Sequence, residues 1–136
     1  MDSLIFVDAS AFFALYKKDD PRHDKAVKIA RMIDSGPIKK VTSNLMISET
    51  LTLISMRVGK AKAIETGKTF QEIDIMVHFI DQIFHQKAWK IFKSIKDKDV
   101  SFADCTSFAV MEALGIKTAF SFDEDFKRYG FEAIEV

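Results

Sequence analysis

The sequence predicts an α/β fold in which helices cover both faces of a central, mainly parallel sheet. Three observations lead there. Short apolar runs of strand length alternate with amphipathic stretches of helix length. The first run, Leu4-Ile5-Phe6-Val7, is apolar at consecutive positions, the pattern of a strand buried on both faces. With 136 residues, 48% apolar and 29% charged, the chain has the size and composition of a single globular domain over 1–136.

The elements follow in order. Leu4–Val7 is a strand that stops at Asp8. Ser10 to Tyr16 is a helix, with Ser10 placed to cap the free N–H groups of its first turn. Asp20-Pro21 breaks the chain. From Asp24 to Ile33, the residues Ala26, Val27, Ile29, Ala30 and Ile33 gather on one side of an amphipathic helix that Gly36-Pro37 ends. Val41-Thr42-Ser43 is a short strand. Leu45 to Val58 is a helix with Ile47, Leu51, Ile54 and Val58 on its buried face and Gly59 as its C-terminal glycine. Lys60 to Phe70 is a more polar helix, interrupted at Gly67. Ile73 to Ile80, rich in β-branched and aromatic residues, contains a strand. Asp81 to Lys96 is the clearest helix, with Ile83, Phe84, Ala88, Ile91, Phe92 and Ile95 at helical spacing. Asp104 to Leu114 is a helix closed by Gly115, Thr118 to Phe122 a strand, Asp123 to Tyr129 a short helix, and Ala133 to Val136 a last strand.

Charge and cysteine content narrow the function. Twenty Lys+Arg balance 20 Asp+Glu, so no whole-molecule basic field attracts nucleic acid and any such contact must use local patches. Cys105 is alone, which excludes an intrachain disulfide and a cysteine-based zinc site; it reads as a buried small hydrophobe, and a reducing cytoplasm is the expected compartment. The longest apolar run, Ala11 to Tyr16, falls far short of the ~20 residues of a membrane span. Met1-Asp2-Ser3 has no basic n-region, so no signal peptide and no membrane partner are expected. GxGxxG, Walker A and HExxH signatures are absent, and His23, His78 and His85 have no metal-ligand spacing.

The acids carry more. Asp8 ends the first strand and Asp123 follows a later one, so both project at the carboxyl edge of a parallel sheet, where α/β folds build their sites. Glu49 lies one turn into the helix after the Val41 strand, and Asp104 stands near another element boundary. Four carboxylates at one edge would form a hard-oxygen cage suited to Mg²⁺ or Mn²⁺, able to activate water against a phosphodiester. Taken singly, each has a structural alternative: Asp104 reads as a helix N-cap, and one of Asp123 and Asp125 as the cap of the short helix. Asp8 is harder to place so, because an acid at the end of an apolar strand is costly without partners.

The order Val7-Asp8-Ala9-Ser10, Ser48-Glu49, Ser101-Phe102-Ala103-Asp104 and Ser121-Phe122-Asp123-Glu124-Asp125-Phe126 resembles the PIN domain, and within it the VapC-like ribonuclease toxins of toxin–antitoxin pairs. The resemblance spans nearly the whole chain. It implies a three-layer α/β/α fold and a Mg²⁺- or Mn²⁺-dependent endoribonuclease. It implies Asp8, Glu49, Asp104 and Asp123 as the catalytic and metal-binding acids, joined by Asp125 through charge or water. Ser10 matches the small polar residue that orders the first acid, and Ser121 the Ser or Thr before the last motif. The implied partners are RNA, a small antitoxin protein and a second copy of the chain.

For RNA, the loop residues Lys17, Lys18 and Arg22 lie nearest the expected site; the diagonal stripe Lys87, Lys90, Lys93 and Lys96 reads as a solvated face. Between Leu45 and Phe70, Met46, Met56 and Phe70 look exposed, and this region resembles the dimer and antitoxin surface of PIN toxins. The rival reading is a catalytically inactive PIN-like module that binds RNA or protein; the presence of all four acids speaks for the enzyme. A phosphoacceptor receiver domain also gathers acids at a sheet edge. It needs paired acids early in the chain, which Asp8 lacks.

Overall fold

The computed structural model describes residues 3–135. The elements are β1 (Leu4–Val7), α1 (Ala9–Tyr16), α2 (His23–Asp34), β2 (Lys39–Ser43), α3 (Asn44–Arg57), α4 (Lys60–Glu72), β3 (Met76–His78), α5 (Gln82–Ser94), α6 (Phe102–Leu114), β4 (Thr118–Phe120), α7 (Asp125–Tyr129) and β5 (Glu132–Ala133). The strands form one sheet in the order β3-β2-β1-β4-β5, and each pairing is parallel. No helix among the described residues is long and apolar enough to cross a membrane.

The central strands explain the unbroken apolar runs. Phe6 packs with Ala88, Ile91 and Phe108 from α5 and α6, while its neighbours Ile5 and Val7 pack with Phe12, Ala26, Ile29 and Ile33 from α1 and α2. In β4, Ala119 faces the first of these cores and Phe120 the second. Alternate side chains point to opposite faces of a strand. A strand between two helical layers is therefore apolar at every position, and the molecule is three layers deep.

Several boundaries differ from the sequence reading. Helix α1 starts at Ala9 and is capped by Asp8, not Ser10. β2 begins at Lys39; β4 stops at Phe120, leaving Ser121 and Phe122 in a loop; β5 is Glu132–Ala133, and the expected strand end at Val136 lies outside the described residues. Helix α4 runs through Gly67 without a break, and a Cβ there would meet the Leu51 side chain of α3 at 3.6 Å. Met46 and Phe70 are buried rather than exposed, whereas Met56 is 78% exposed, Val58 is exposed and Ile83 of α5 faces solvent. The fully buried residues of α3 are Met46, Thr50 and Ile54; of the expected stripe, Ile54 is buried, Ile47 and Leu51 are partly buried against the core, and Val58 is exposed. The two hydroxyl and thioether positions pack because Thr50 Oγ1 donates to the Met46 carbonyl at 2.7 Å, which removes the cost of burying it. Gly59 does follow α3; its φ of 145° suits glycine, and its N–H donates to Ile54 O.

From β1 the chain adds β2 and β3 on one side, then crosses back to add β4 and β5 on the other. The crevice outside the carboxyl ends of β1 and β4 is therefore the topological switch point, where open α/β sheets place their ligands.

Candidate active site

Asp8 stands at that switch point. Its backbone N–H extends the β1–β4 ladder by donating to Phe120 O at 3.0 Å. Its side chain is 4% exposed, and three donors converge on Oδ2: Ser10 Oγ at 2.7 Å, Ser121 Oγ at 2.8 Å and, more weakly, Ser10 N–H at 3.4 Å. The two serines also accept backbone N–H groups of the loop after β4, Ser10 from Phe122 at 2.9 Å and Ser121 from Asp123 at 3.0 Å. One hydroxyl network thus fixes the first acid and the loop that carries Asp123. Burial pushes the Asp8 carboxyl above its ordinary pKa; the serine hydrogen bonds oppose this, and the Asp123 charge adds to it.

The other acids arrive from separate segments. Glu49 projects from the second turn of α3. Asp104 lies in the first turn of α6, whose cap is Ser101: the serine Oγ accepts the Asp104 N–H at 3.0 Å. Asp104 is therefore not the N-cap, and its carboxyl is free for other use. Neither Asp123 nor Asp125 caps α7 by side chain from the Ncap position, which Glu124 occupies; instead Asp123 Oδ1 accepts the Asp125 N–H at 2.9 Å. A cleft of about 200 Å³ is lined by Asp8, Ser10, Glu49, Asp104 and Asp123. Asp125 sits behind it, paired with Arg128 at 3.2 Å, yet one carboxylate oxygen each from Asp104, Asp123 and Asp125 lie within 4.8 Å of one another.

Their electrostatics record this crowding. Burial, then the charges of Asp123, Asp8 and Asp125, push Asp104 up to about 7. Partial desolvation, then Asp8 and Asp123, raise Glu49; burial and Asp123 raise Asp125. The Asp123 charge raises Asp8, Glu49, Asp104 and Asp125 alike, as expected of carboxylates sharing one site. The donor set is all oxygen and anionic, which fits a hard divalent cation. By contrast, burial raises the Cys105 thiol to about 11, so it is inert packing, and His23 Nδ1 is held at 2.8 Å by the Ala14 carbonyl.

The PIN domain family model matches residues 5–132. The chain is a PIN domain. Its VapC-like character rests on 35% identity over 128 residues, 94% of this chain and 95% of the relative, to the Mycobacterium tuberculosis protein described as a 23S rRNA-specific endonuclease, VapC20. The crystal structure of that VapC20, a toxin described as cleaving the sarcin–ricin loop, matches with a TM-score of 0.87 at 33% identity, over 97% of this chain and 99% of that one. VapBC2 from Rickettsia felis, solved with a DNA fragment from its promoter, matches at 0.71 with 10% identity over 96% of this chain and 97% of that one, a likeness of fold alone.

Beside the acids, the PIN domain cleft holds two arginines. Arg22, anticipated in the α1–α2 loop, lies over the Phe122 ring at 5.0 Å and donates to Asp20. Arg57 was not anticipated. Its guanidinium rests over Phe13 at 5.5 Å, with no ion pair among the described residues. The spacing Glu49, Leu53, Arg57 puts three residues on one face of α3 at successive turns, and all three line the cleft; that i, i+4, i+8 pattern was the available signal. Lys17 pairs with Asp19 and Lys18 is exposed, and neither lines the cleft.

Proposed function

We propose that this PIN domain is a Mg²⁺- or Mn²⁺-dependent endoribonuclease, the toxin of a VapBC-type pair, and that Asp8, Glu49, Asp104 and Asp123 form its catalytic metal site. The supporting observation is that four acids from four separate segments, none paired with a cation among the described residues, line one cleft at the switch point of the sheet. Carboxylates gathered in one cleft with no ion-pair partner of their own repel one another, and a divalent ion held among them would offset that repulsion.

In this reading the four carboxylates hold the ion, and Asp125 adds negative charge from behind. A divalent cation held there would supply Lewis-acid polarisation of the scissile phosphodiester and a water activated for attack near neutral pH. Ser10 and Ser121 orient Asp8 by occupying Oδ2, so that Oδ1, which carries no hydrogen bond among the described residues, is left for the ion. Asp104, with its raised affinity for protons, must give one up before a cation can bind, so activity rises with pH toward neutrality. Arg57 and Arg22, planar and already stacked on aromatic rings, bind phosphates flanking the cut.

The substrate class is RNA, and 23S rRNA is the first substrate to test, given the activity of the VapC20 relative. The partners are a small antitoxin protein and a second copy of the chain. Support for the latter is the α3–α4 surface, where a groove of about 360 Å³ is bordered by Met56 and Ile64, with Val58 also exposed nearby. The test is cleavage of rRNA with Mg²⁺ or Mn²⁺, with EDTA, and by Asp104→Asn. Cleavage that persists in EDTA would overturn the metal mechanism, and an unchanged Asp104→Asn would remove Asp104 from it.

A further inference from the structure

Helix α5 carries a surface that the cleft does not explain. Trp89 and Phe92 lie on its outer side, 49% and 38% exposed, with their rings 6.0 Å apart and 23° from parallel. Lys93 Nζ stands 5.8 Å from the Trp89 ring centre. The aromatic pair is braced from below: Phe92 meets Phe102 edge-on at 5.7 Å, and His85 meets the same ring at 5.0 Å. Phe102 opens α6, two residues before Asp104. At the end of the helix, Lys96 lines a cavity of about 280 Å³ together with Asp125 and Arg128. The Phe92–Phe102 contact thus joins the aromatic pair to the first turn of α6, which also carries Asp104.

Its charge selects the occupant. From Gln82 to Ser94, α5 holds Lys87, Lys90 and Lys93 and no acid, in a chain whose net charge is zero. A second copy docked α5 to α5 would set lysine against lysine. A single-stranded nucleic acid satisfies both halves of the surface, because its bases stack on rings and its phosphates meet ammonium groups. Rings already stacked on each other, with Phe92 braced by Phe102, lose little freedom when a base lands on them.

We infer that Trp89 and Phe92, with Lys93, form a binding platform for single-stranded RNA that flanks the cleavage site. The inference rests on the nuclease reading only in taking this RNA to be the substrate strand. The platform adds affinity and sets where the strand lies; it takes no part in bond cleavage.

Trp89 is the sole tryptophan, so its emission reports the platform directly. The experiment titrates Asp104→Asn protein in Mg²⁺ with a labelled oligoadenylate of about twelve nucleotides, following RNA anisotropy and Trp89 fluorescence together. Binding should quench Trp89. Trp89→Leu should weaken binding about tenfold, the effect of one lost base stack, and Lys93→Gln should lower the salt slope by about 0.7. Sedimentation of both variants should match the parent. RNA that binds without quenching Trp89, and binds Trp89→Leu equally well, overturns the platform. So does a Trp89→Leu change that dissociates the protein, because the surface then belongs to a second copy. Wild-type cleavage separates the two readings: a chain that cuts RNA while Trp89 is indifferent loses only the platform, and one that quenches but cuts nothing loses only the nuclease.

Discussion

Asp8 and Asp104 are both acids near a helix start, and their surroundings give them different work. Asp8 has its charge spread over two serine hydroxyls, whereas Asp104 keeps its carboxyl for the cleft because Ser101 performs the capping. The sequence placed Asp8, Asp104 and Asp123 at element boundaries and Glu49 one turn into a helix, and the structure brings those four to one cleft. It could not resolve the local hydrogen bonds, since a cap depends on which residue takes extended backbone angles, and Asp8 and Ser101 did so where Ser10 and Asp104 were expected. Two outcomes test the difference. Ser101→Ala should cost about 1 kcal/mol, as loss of an N-cap does. Metal-free Asp104→Asn should melt above metal-free wild type, because one repelling charge leaves the cleft. Added Mg²⁺ should raise the wild type, by about 2.7 kcal/mol at a hundredfold excess over its dissociation constant, and the variant much less. Equal shifts in two pairs of thermal melts would mean Asp104 is structural.

Among the elements, strands read more truly in type than in extent, and helices more truly in extent than in face. β1 and β4 were legible because two helical layers demand apolar residues at each position. On α3, Ile54 is buried as expected and Ile47 and Leu51 pack partly buried against the core, whereas Val58 is exposed and the buried Thr50 was missed, because a hydrogen-bonded threonine carries no hydrophobic signal. On α5, Ile83 and Phe92 fit the apolar period yet lie exposed, since period alone does not distinguish a core face from a binding face. Gly67 tests the reading of α4 as one continuous helix. A Cβ there would meet Leu51 Cδ2 at 3.6 Å, an ordinary contact. Gly67→Ala should therefore stabilise the protein by up to about 1 kcal/mol in urea unfolding, the difference in helix propensity. Destabilisation would show that α3 and α4 need the glycine's close approach. Ser107 offers a second gain: its Oγ is buried in α6 with no partner among the described residues, so Ser107→Ala should add about 1 kcal/mol.

At the scale of the molecule, the acid cluster links stability to pH in a direction opposite to that of most proteins with paired carboxylates. Asp104 titrates near 7 in the folded chain against 3.8 when free, and Asp8, Glu49 and Asp125 are shifted the same way. An acid whose folded pKa is raised holds its proton more tightly folded than unfolded. Its stabilising effect is complete below the unfolded pKa and disappears as pH rises through the folded one. For Asp104 that window runs from about 4 to about 7. The metal-free protein should accordingly be more stable to urea at pH 5 than at pH 8. Asp104→Asn should flatten the difference, since the amide does not titrate. If the proposed metal site holds, Mg²⁺ should shrink it from the other end, because an ion bound to the deprotonated cluster would stabilise the protein most at pH 8. Urea midpoints measured in EDTA at both pH values, for wild type and variant, decide the matter. Wild-type stability that rises from pH 5 to pH 8 without metal would mean that the carboxylates do not crowd one another in solution, and the argument for a cation at the switch point would lose its electrostatic basis.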